Sequence, residues 1–447
     1  MASESVSTVY GPMHGDFCMS PLIDLCVPNG GVQTGPFGSQ LHASDYVNNG
    51  TPIITVEHLG ENRIIHSNLP RVTDEDKERL ARYTLYEGDI VFSRVGSVDR
   101  RAIVGSDEDG WLFSGRCLRI RPDRTKIDPS FLSWFFGLPS FQEYIRQIAV
   151  GATMPSLNTD LLSAVPIYYP PLIKEQQAIA HILGVLDDKI ELNRRMNKTL
   201  EEMARAIFKS WFVDFDPVHA KAAGQTPPGL TPEIAALFPD SFEDSELGEI
   251  PKGWSISNIG NHFRLTMGQS PPGDTYNESG EGLPFYQGKT DFGFRFPACR
   301  VYCTAPTRLA DCGDTLVSVR APVGDVNMAK DKCAVGRGVA SICHKKGYKS
   351  LTYYTMRQLK NYFDQFEAEG TVFGSINRAD FERLPFIESP IDILRNFDQI
   401  ISPIDNRIEK NEYQILTLAA LRDALLPKLI SGLLRIPDAE RIVERCT

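Results

Sequence analysis

Residues 183–193 read LGVLDDKIELN, and residues 401–411 read ISPIDNRIEKN. Without a gap the two share Asp187/Asp405, Ile190/Ile408, Glu191/Glu409 and Asn193/Asn411, 218 positions apart. The match extends upstream, where GATMPSLNTDLLSAVPI (151–167) runs beside GTVFGSINRADFERLPF (370–386) with Gly, Ser, Asn and Pro at the same spacing. Gly88-Asp89 before IVFSR matches Gly313-Asp314 before TLVSVR, Gly115-Arg116 matches Gly336-Arg337, and NNGTPIITVEHL (48–59) faces GEGLPFYQGKTDF (280–292). The order is kept while the offset drifts, which marks a duplication whose front portions have taken different insertions. A period above 200 residues is that of a domain, not of a solenoid.

A duplicated chain should fold as two like globules. The front portions, 1–170 and 251–387, are rich in Gly, Pro, Thr and aromatics, and short apolar runs such as DIVFS, TPIITV and TLVSV lie between turn residues, which predicts strands. Residues 130–148 and 351–366 have a helical pattern, so each front portion is expected to be a mixed α/β globule. The back portions, 171–214 and 388–435, read as helical. Their apolar positions step by four and three: Leu186, Ile190, Asn193, Asn197, Leu200, Ala204, Ile207 and Trp211 in one, Ile404, Ile408, Asn411, Ile415, Leu418, Arg422, Leu425 and Leu429 in the other. Sustained over four heptads, that step is a coiled-coil seam. Each helix could pack on the other as an antiparallel pair or on its own globule as a core stripe; the matched seam polar residues Asn193 and Asn411 favour the pair. Ser402-Pro403 has the chemistry of a helix start, and Gly184 is its counterpart, so a break is expected there, with a helix of about 28 residues, roughly 40 Å, after it. Residues 215–250, acidic and rich in Pro and Gly, read as a linker with one short helical turn, and 436–447 as a tail. The expected class is α+β: two mixed globules separated by an antiparallel two-helix coiled coil, in a pseudo-twofold tandem duplication.

Charge narrows the function. The net charge of −10 is unevenly spread. Residues 214–249 carry eight acidic side chains against one lysine, whereas 289–360 carry thirteen Lys/Arg against five Asp, and 94–126 eight basic against five acidic. Local positive surface binds phosphates, and an acidic stretch beyond a Debye length of about 8–10 Å does not cancel it. No run is long and apolar enough for a membrane span and the start MASESVSTVYGPM lacks the regions of a signal peptide, so a cytoplasmic location is expected. The nine cysteines and eight histidines show no metal-ligand spacing, which leaves no metal site expected. There is no G-x-x-x-x-G-K-[ST] loop, nucleophile elbow or H-E-x-x-H. Tyr169-Pro170-Pro171-Leu172 and Ser270-Pro271-Pro272-Gly273 lack the aromatic with which an amino-methyltransferase loop stacks a flipped base. No catalytic residues are therefore assigned.

Recognition equipment remains. Reading bases takes Arg, Lys, Gln, Asn, Ser and Thr on loops, with basic residues to grip phosphates. The first globule offers Gln33, Thr34, Ser39, Gln40, His58, Arg94, Ser97, Arg100, Arg101 and Arg116; the second offers Thr266, Gln269, Ser270, Gln287, Lys289, Thr290, Arg320 and Arg337. Arg94 and Arg320 stand out, each just past a strand and before a glycine-containing turn. The neighbouring Gly35, Gly38, Gly96, Gly268 and Gly324 read as turn residues.

PPLIKEQQAIAHILGVLDDKIELNRRMNKTLEEMARAIFKSWF (170–212) resembles the central conserved region of type I restriction–modification specificity subunits. GDIVFSRVGSVDR, VSVRAPVGDVNMAKDKCAVGRGVASI and LGEIPKGW resemble variable-domain signatures of the same family. The resemblance covers nearly the whole chain in the family's order. The second copy departs most, having lost the Glu175-Gln176-Gln177 of the first. It implies two target recognition domains, each reading half of a split, asymmetric site on double-stranded DNA, with the helix pair setting the spacer. It implies no cofactor on this chain. Two modification subunits would bind S-adenosylmethionine and methylate adenine, and up to two motor-nuclease restriction subunits would use ATP and Mg. Two other readings stand beside it: a stand-alone DNA methyltransferase with an unrecognised active site, and a coiled-coil scaffold that binds no DNA.

Overall fold

The computed structural model describes residues 5–37, 40–151, 153–368 and 374–444, so the candidate Ser39, with Gly38 and Gly370, lies outside the described residues. The chain divides into two compact units, residues 1–192 with 415–447, and residues 193–414. The boundaries fall inside both long helices, so each unit owns one globule and part of each helix.

In the first unit a four-stranded antiparallel sheet runs Val32–Thr34, Cys117–Ile120, Ile90–Ser93, Arg101–Ile103. Beside it Thr51–Ile54 pairs in parallel with Leu112–Phe113, and Cys18–Pro21 pairs with Pro166–Tyr169. The second unit repeats the plan. Its sheet runs Phe263–Met267, Val339–His344, Thr315–Val319, Val323–Met328; Leu283–Tyr286 pairs in parallel with Cys333–Val335, and Ser255–Asn258 pairs with Pro385–Glu388. The shared residues are the ones that shape turns. Gly88 and Gly313 take φ of +88° and +83°, which favours glycine. The Asp89 carboxylate accepts the Tyr86 N–H and the Asp314 carboxylate that of Asp311. Asn158 and Asn377 cap the helices Thr159–Ser163 and Arg378–Arg383.

The helices Ile173–Phe212 and Ile391–Ile430 are each continuous over 40 residues. This corrects the expected breaks. A side chain at Gly184 would meet open space, so glycine there marks no turn. Pro403 sits mid-helix, which removes a backbone hydrogen bond at a cost of about 3 kcal/mol. Ile401 and Ile408, both 0% exposed, hold the helix in place on either side, and Ser402 Oγ donates to the Asp398 carbonyl at 2.6 Å. Residues 215–250 are not a bare linker either. They form the helices Asp216–Ala222 and Pro232–Leu237 and the hairpin Phe242–Ser245/Gly248–Pro251, because Phe215, Val218 and Phe238 bury against Trp211 and Trp254. The expected tail contains the helix Ile436–Glu444, which buries Ala439 and Val443 in the first unit's core.

The two packings weighed for the long helices coexist. In the first unit Leu186 and Ile190 share a core with Leu418, Leu425 and Leu429 and also with Phe131, Leu132 and Trp134 of the globule. In the second unit the seam is partly polar. Asn193 Nδ2 donates to Gln414 Oε1 (2.9 Å), Asn197 Nδ2 to Glu412 Oε1 (2.7 Å) and Asn411 Nδ2 to Asn197 Oδ1 (2.8 Å), so the partner of Asn411 is Asn197 and not Asn193. Partner numbers fall as helix numbers rise, which is the antiparallel register. Leu200, Ile207 and Ile404 are only half-buried in this part of the seam. Asn411→Leu is expected to cost about 1–3 kcal/mol by leaving the buried Asn197 Oδ1 without its donor, whereas Asn411→Leu combined with Asn197→Leu and Glu412→Leu should recover most of it. Urea titrations of the two variants check this; equal losses would refute it.

Asp187 and Asp405, matched positions of the repeated segment, each receive an arginine from the globule of their own unit. Arg63 Nε reaches Asp187 Oδ2 at 2.7 Å, and Arg422 Nη1 from the seam reaches Asp187 Oδ1 at 2.8 Å. Arg295, 1% exposed, donates through Nη1 to Asp405 Oδ1 (2.6 Å), and through Nη2 to Glu201 and to the Tyr354 hydroxyl (2.9 Å). Burial opposes the Arg295 charge, but Tyr353, Asp405, Tyr354 and Glu201 outweigh it and hold its pKa above the ordinary value.

His344 is 5% exposed, and its Nδ1 accepts the Lys346 N–H at 3.1 Å. Burial, then His262, Lys346 and Lys345, push its pKa down from 6.5 to about 4. The unfolded chain therefore binds this proton first. The contribution of His344 to the second unit's stability is expected to be complete above pH 6.5 and to be lost, by about 3 kcal/mol overall, as the pH drops to about 4. His344→Asn should flatten that slope in pH-dependent denaturation; an unchanged slope would assign the dependence to other groups.

Candidate nucleic-acid interface

In the second unit the parallel pair Leu283–Tyr286/Cys333–Val335 and the strand Thr315–Val319 end beside one another. The segments that follow them, with the segment after Phe263–Met267, enclose a cleft of about 570 Å³. Ser270, Gln287, Lys289, Thr290, Arg320 and Arg337 line it. Arg320 and Arg337 are exposed, Arg337 Nε donates to Ser270 Oγ (3.3 Å), and Lys289 pairs with Asp325 (2.8 Å). The wall thus carries two guanidinium groups, an ammonium, an amide and two hydroxyls, while the neighbouring carboxylates of Asp325 and Asp291 are paired with Lys289 and Arg300. That mixture can donate to phosphate oxygens and read base edges. Gln269 is exposed beside the cleft, and Thr266 is half-buried in its strand; neither lines it. Gly288, Ala321, Pro322 and Gly338 also line the cleft, and small residues and proline carry no sequence signal for base contact.

The first unit presents a different surface on the same frame. Arg94 is half-buried, its guanidinium 4.9 Å from the Phe37 ring centre and Nη1 donating to the Gly115 carbonyl (3.1 Å), while Ser97 and Arg116 are exposed. Phe37, which gives Arg94 its platform, was not among the candidates, and nothing in its local sequence distinguishes it from a core aromatic. Thr34 is half-buried with its hydroxyl on the Gly35 carbonyl, and Gln40 Oε1 accepts the Tyr83 hydroxyl (2.7 Å). Gln33 is taken up by Arg119, which donates to Gln33 Oε1 at 2.6 Å.

Two candidates are buried, and a third is half-buried with one nitrogen engaged. His58 is 5% exposed; its Nδ1 accepts the Thr55 N–H and closes a short turn, as the Asp291 carboxylate does for Gln287. Arg101 is 7% exposed, donates to the Ser133 carbonyl, and is pulled down to about 10 by burial. Arg100 is half-buried and its Nη2 is spent on the Leu59 carbonyl. A strand-end arginine reads the same in sequence whether it faces solvent or core.

Backbone pairing also corrects two matches between the repeats. Leu157 N–H donates to the Arg94 carbonyl and Ile376 N–H to the Val319 carbonyl, so Arg320 stands opposite Val95, one position along from Arg94. Arg94 N–H donates to the Arg116 carbonyl and Val319 N–H to the Gly338 carbonyl, so Arg116 corresponds to Gly338 and Arg337 to Gly115. The stagger at the second turn has a steric cause. A Cβ on Gly115 would lie 2.3 Å from the Pro36 carbonyl oxygen, and one on Gly338 would lie 2.3 Å from that of Gln287. Each unit thus has room for an arginine at only one of the two turn positions.

A family model described as Type I restriction modification DNA specificity domain matches residues 37–202. Over 397 residues the chain is 31% identical to the type I restriction enzyme MjaX specificity subunit of Methanocaldococcus jannaschii, across 87% of this chain and 88% of that one. It is 26% identical over 446 residues to the type I restriction enzyme HindI specificity subunit of Haemophilus influenzae, across 86% and 95% of the two chains. The crystal structure of a type I restriction-modification system S subunit from M. genitalium has the same fold, with a TM-score of 0.59 at 15% identity over 92% of this chain and 96% of that one. With 31% identity sustained over most of both chains, and the same fold in a solved relative, the protein belongs to the family of type I restriction–modification DNA specificity subunits.

Proposed function

We propose that each unit reads one half of a bipartite asymmetric DNA target, the second through the cleft around Arg320 and Arg337 and the first through the surface around Arg94, Ser97 and Arg116. The observation that carries this is the convergence of six base- or phosphate-competent side chains on one cleft. The different placement of arginines on a common frame supports reading two different half-sites. This chain is a non-catalytic recognition subunit, and chemistry falls to its partners. In this reading it docks two modification subunits, which carry S-adenosylmethionine and methylate adenine, and through them restriction subunits that use ATP and Mg, all in the cytoplasm with the DNA. Neither a stand-alone methyltransferase nor a scaffold without DNA is supported by the family.

Sequencing that detects methylated adenine, in cells carrying this chain and its modification partner, tests the reading. One bipartite, asymmetric motif should emerge, methylated in both half-sites, and the purified chain alone should transfer no methyl group from labelled S-adenosylmethionine. Methyl transfer by the chain alone, or methylation without a two-part motif, would refute it.

A further inference from the structure

In the first unit the hairpin Ser5–Thr8/Gly11–His14 delivers Tyr10 into the core at 6% exposure. Its ring lies edge-on to Phe135, Tyr144 and Tyr168 at 5.5, 5.3 and 6.0 Å, and its hydroxyl donates to the Pro166 carbonyl at 2.9 Å. The second unit builds the same scaffold. Gly248 shares the +99° φ of Gly11, and Ser245 Oγ accepts the Leu247 N–H as Thr8 Oγ1 accepts that of Tyr10, so Leu247 stands where Tyr10 stands. Strand register puts Pro385 in the place of Pro166 and Ile387 in that of Tyr168. Counted from the first residue of the helices Pro129–Phe135 and Lys349–Gln358, Leu351 and Thr355 replace Phe131 and Phe135.

Each of the four substitutions removes an aromatic ring, and the second unit holds a cavity of about 340 Å³ at this place. Leu247, Ile250, Leu351, Thr355, Pro385 and Ile387 line it, and Leu247 is 48% exposed where Tyr10 is buried. That volume is at the lower end of the ~300–1,000 Å³ of small-molecule sites. The lining is apolar except for Glu249, Thr355, Gln358 and Tyr362, and one main-chain acceptor stands beside it. Ile259 N–H donates to the Leu384 carbonyl, which makes Asn258 and Pro385 a non-hydrogen-bonded pair, so the Pro385 carbonyl points away from the neighbouring strand as that of Pro166 does.

We propose that this cavity is a binding site for a monocyclic phenol, its ring replacing that of Tyr10 and its hydroxyl donating to the Pro385 carbonyl. The site is separate from the DNA cleft and does not depend on how the cleft is read. Titration calorimetry of the full-length chain with p-cresol should give saturable binding, about tenfold tighter than toluene, which lacks the hydroxyl. Leu247→Tyr should abolish p-cresol binding and raise the melting temperature of the ligand-free chain, since it restores the first unit's arrangement. Thr355→Phe fills the cavity from the opposite wall and should also abolish binding. Absence of p-cresol binding, equal affinity for toluene, or binding unchanged in both variants would overturn the proposal. In the complex with modification subunits p-cresol should still bind; its exclusion there would mean that a partner's side chain is the occupant and would overturn the small-molecule assignment.

Discussion

Changing Arg295 to alanine is expected to destabilise the second unit by about 3–5 kcal/mol, a large share of what a domain of this size holds. Arg295 is 1% exposed and serves two acids, Asp405 on one long helix and Glu201 on the other. Removing it leaves both carboxylates facing a vacated, largely dry space, with Arg357 and the Tyr353 hydroxyl still beside Glu201 and the Tyr354 hydroxyl alone beside Asp405. The charge-free replacement is the informative control. Arg295→Met combined with Glu201→Leu and Asp405→Leu removes the desolvation cost together with the attraction and should lie near the parent. Arg63→Ala in the first unit should cost less, because Arg63 is 38% exposed at its side chain and Arg422 still pairs with Asp187. Urea denaturation followed by Trp211 and Trp254, with Trp111 and Trp134 changed to Phe, isolates the second unit. A loss below about 1 kcal/mol for Arg295→Ala would show that the arginine does not hold the globule to the helices.

Arg320→Ala and Arg337→Ala are each expected to weaken target binding by about 1–3 kcal/mol, roughly 5- to 150-fold, and to relax the motif in one half-site only. Both guanidinium groups are exposed in the cleft, so neither change should disturb the fold. Arg94→Ala should relax the other half-site. Lys289→Ala, which removes a compact charge and no fork of donors, should weaken all sequences alike and lower the salt slope by about one. Methylation mapping and binding at two salt concentrations separate these outcomes. If both cleft variants keep the parent motif and affinity, base reading lies elsewhere in the second unit.

What was legible in the sequence was whatever the backbone itself demands. Gly88 and Gly313, Asp89 and Asp314, and Asn158 and Asn377 mark turns and caps that work the same way in both globules, so they survived as identities and revealed the duplication. The six polar residues of the cleft were picked out by side-chain chemistry alone, and so were Thr266 and Gln269, which do not line it. Burial was not legible. His58 and Arg101 have the right chemistry and lie in the core, because exposure is settled by what folds over a residue from elsewhere in the chain. The unbroken helix through Pro403 is a case of tertiary packing overriding a local signal that is ordinarily reliable. The hairpin at 242–251 was missed because only Gly11 and Gly248 remain in common with its N-terminal counterpart.

The repeat in the sequence and the unit in the fold are cut at different places. The duplication divides the chain near residue 215, yet the second unit is one uninterrupted stretch, 193–414, that opens on the last residue of LGVLDDKIELN and closes three residues after ISPIDNRIEKN, inside the repeated helices. For recombination between related genes this placement is permissive. A crossover within each repeated segment exchanges a whole folding unit, with its own globule, its own Arg295 clamp and its own share of both helices. New pairs of half-sites can then arise without any core having to be packed anew.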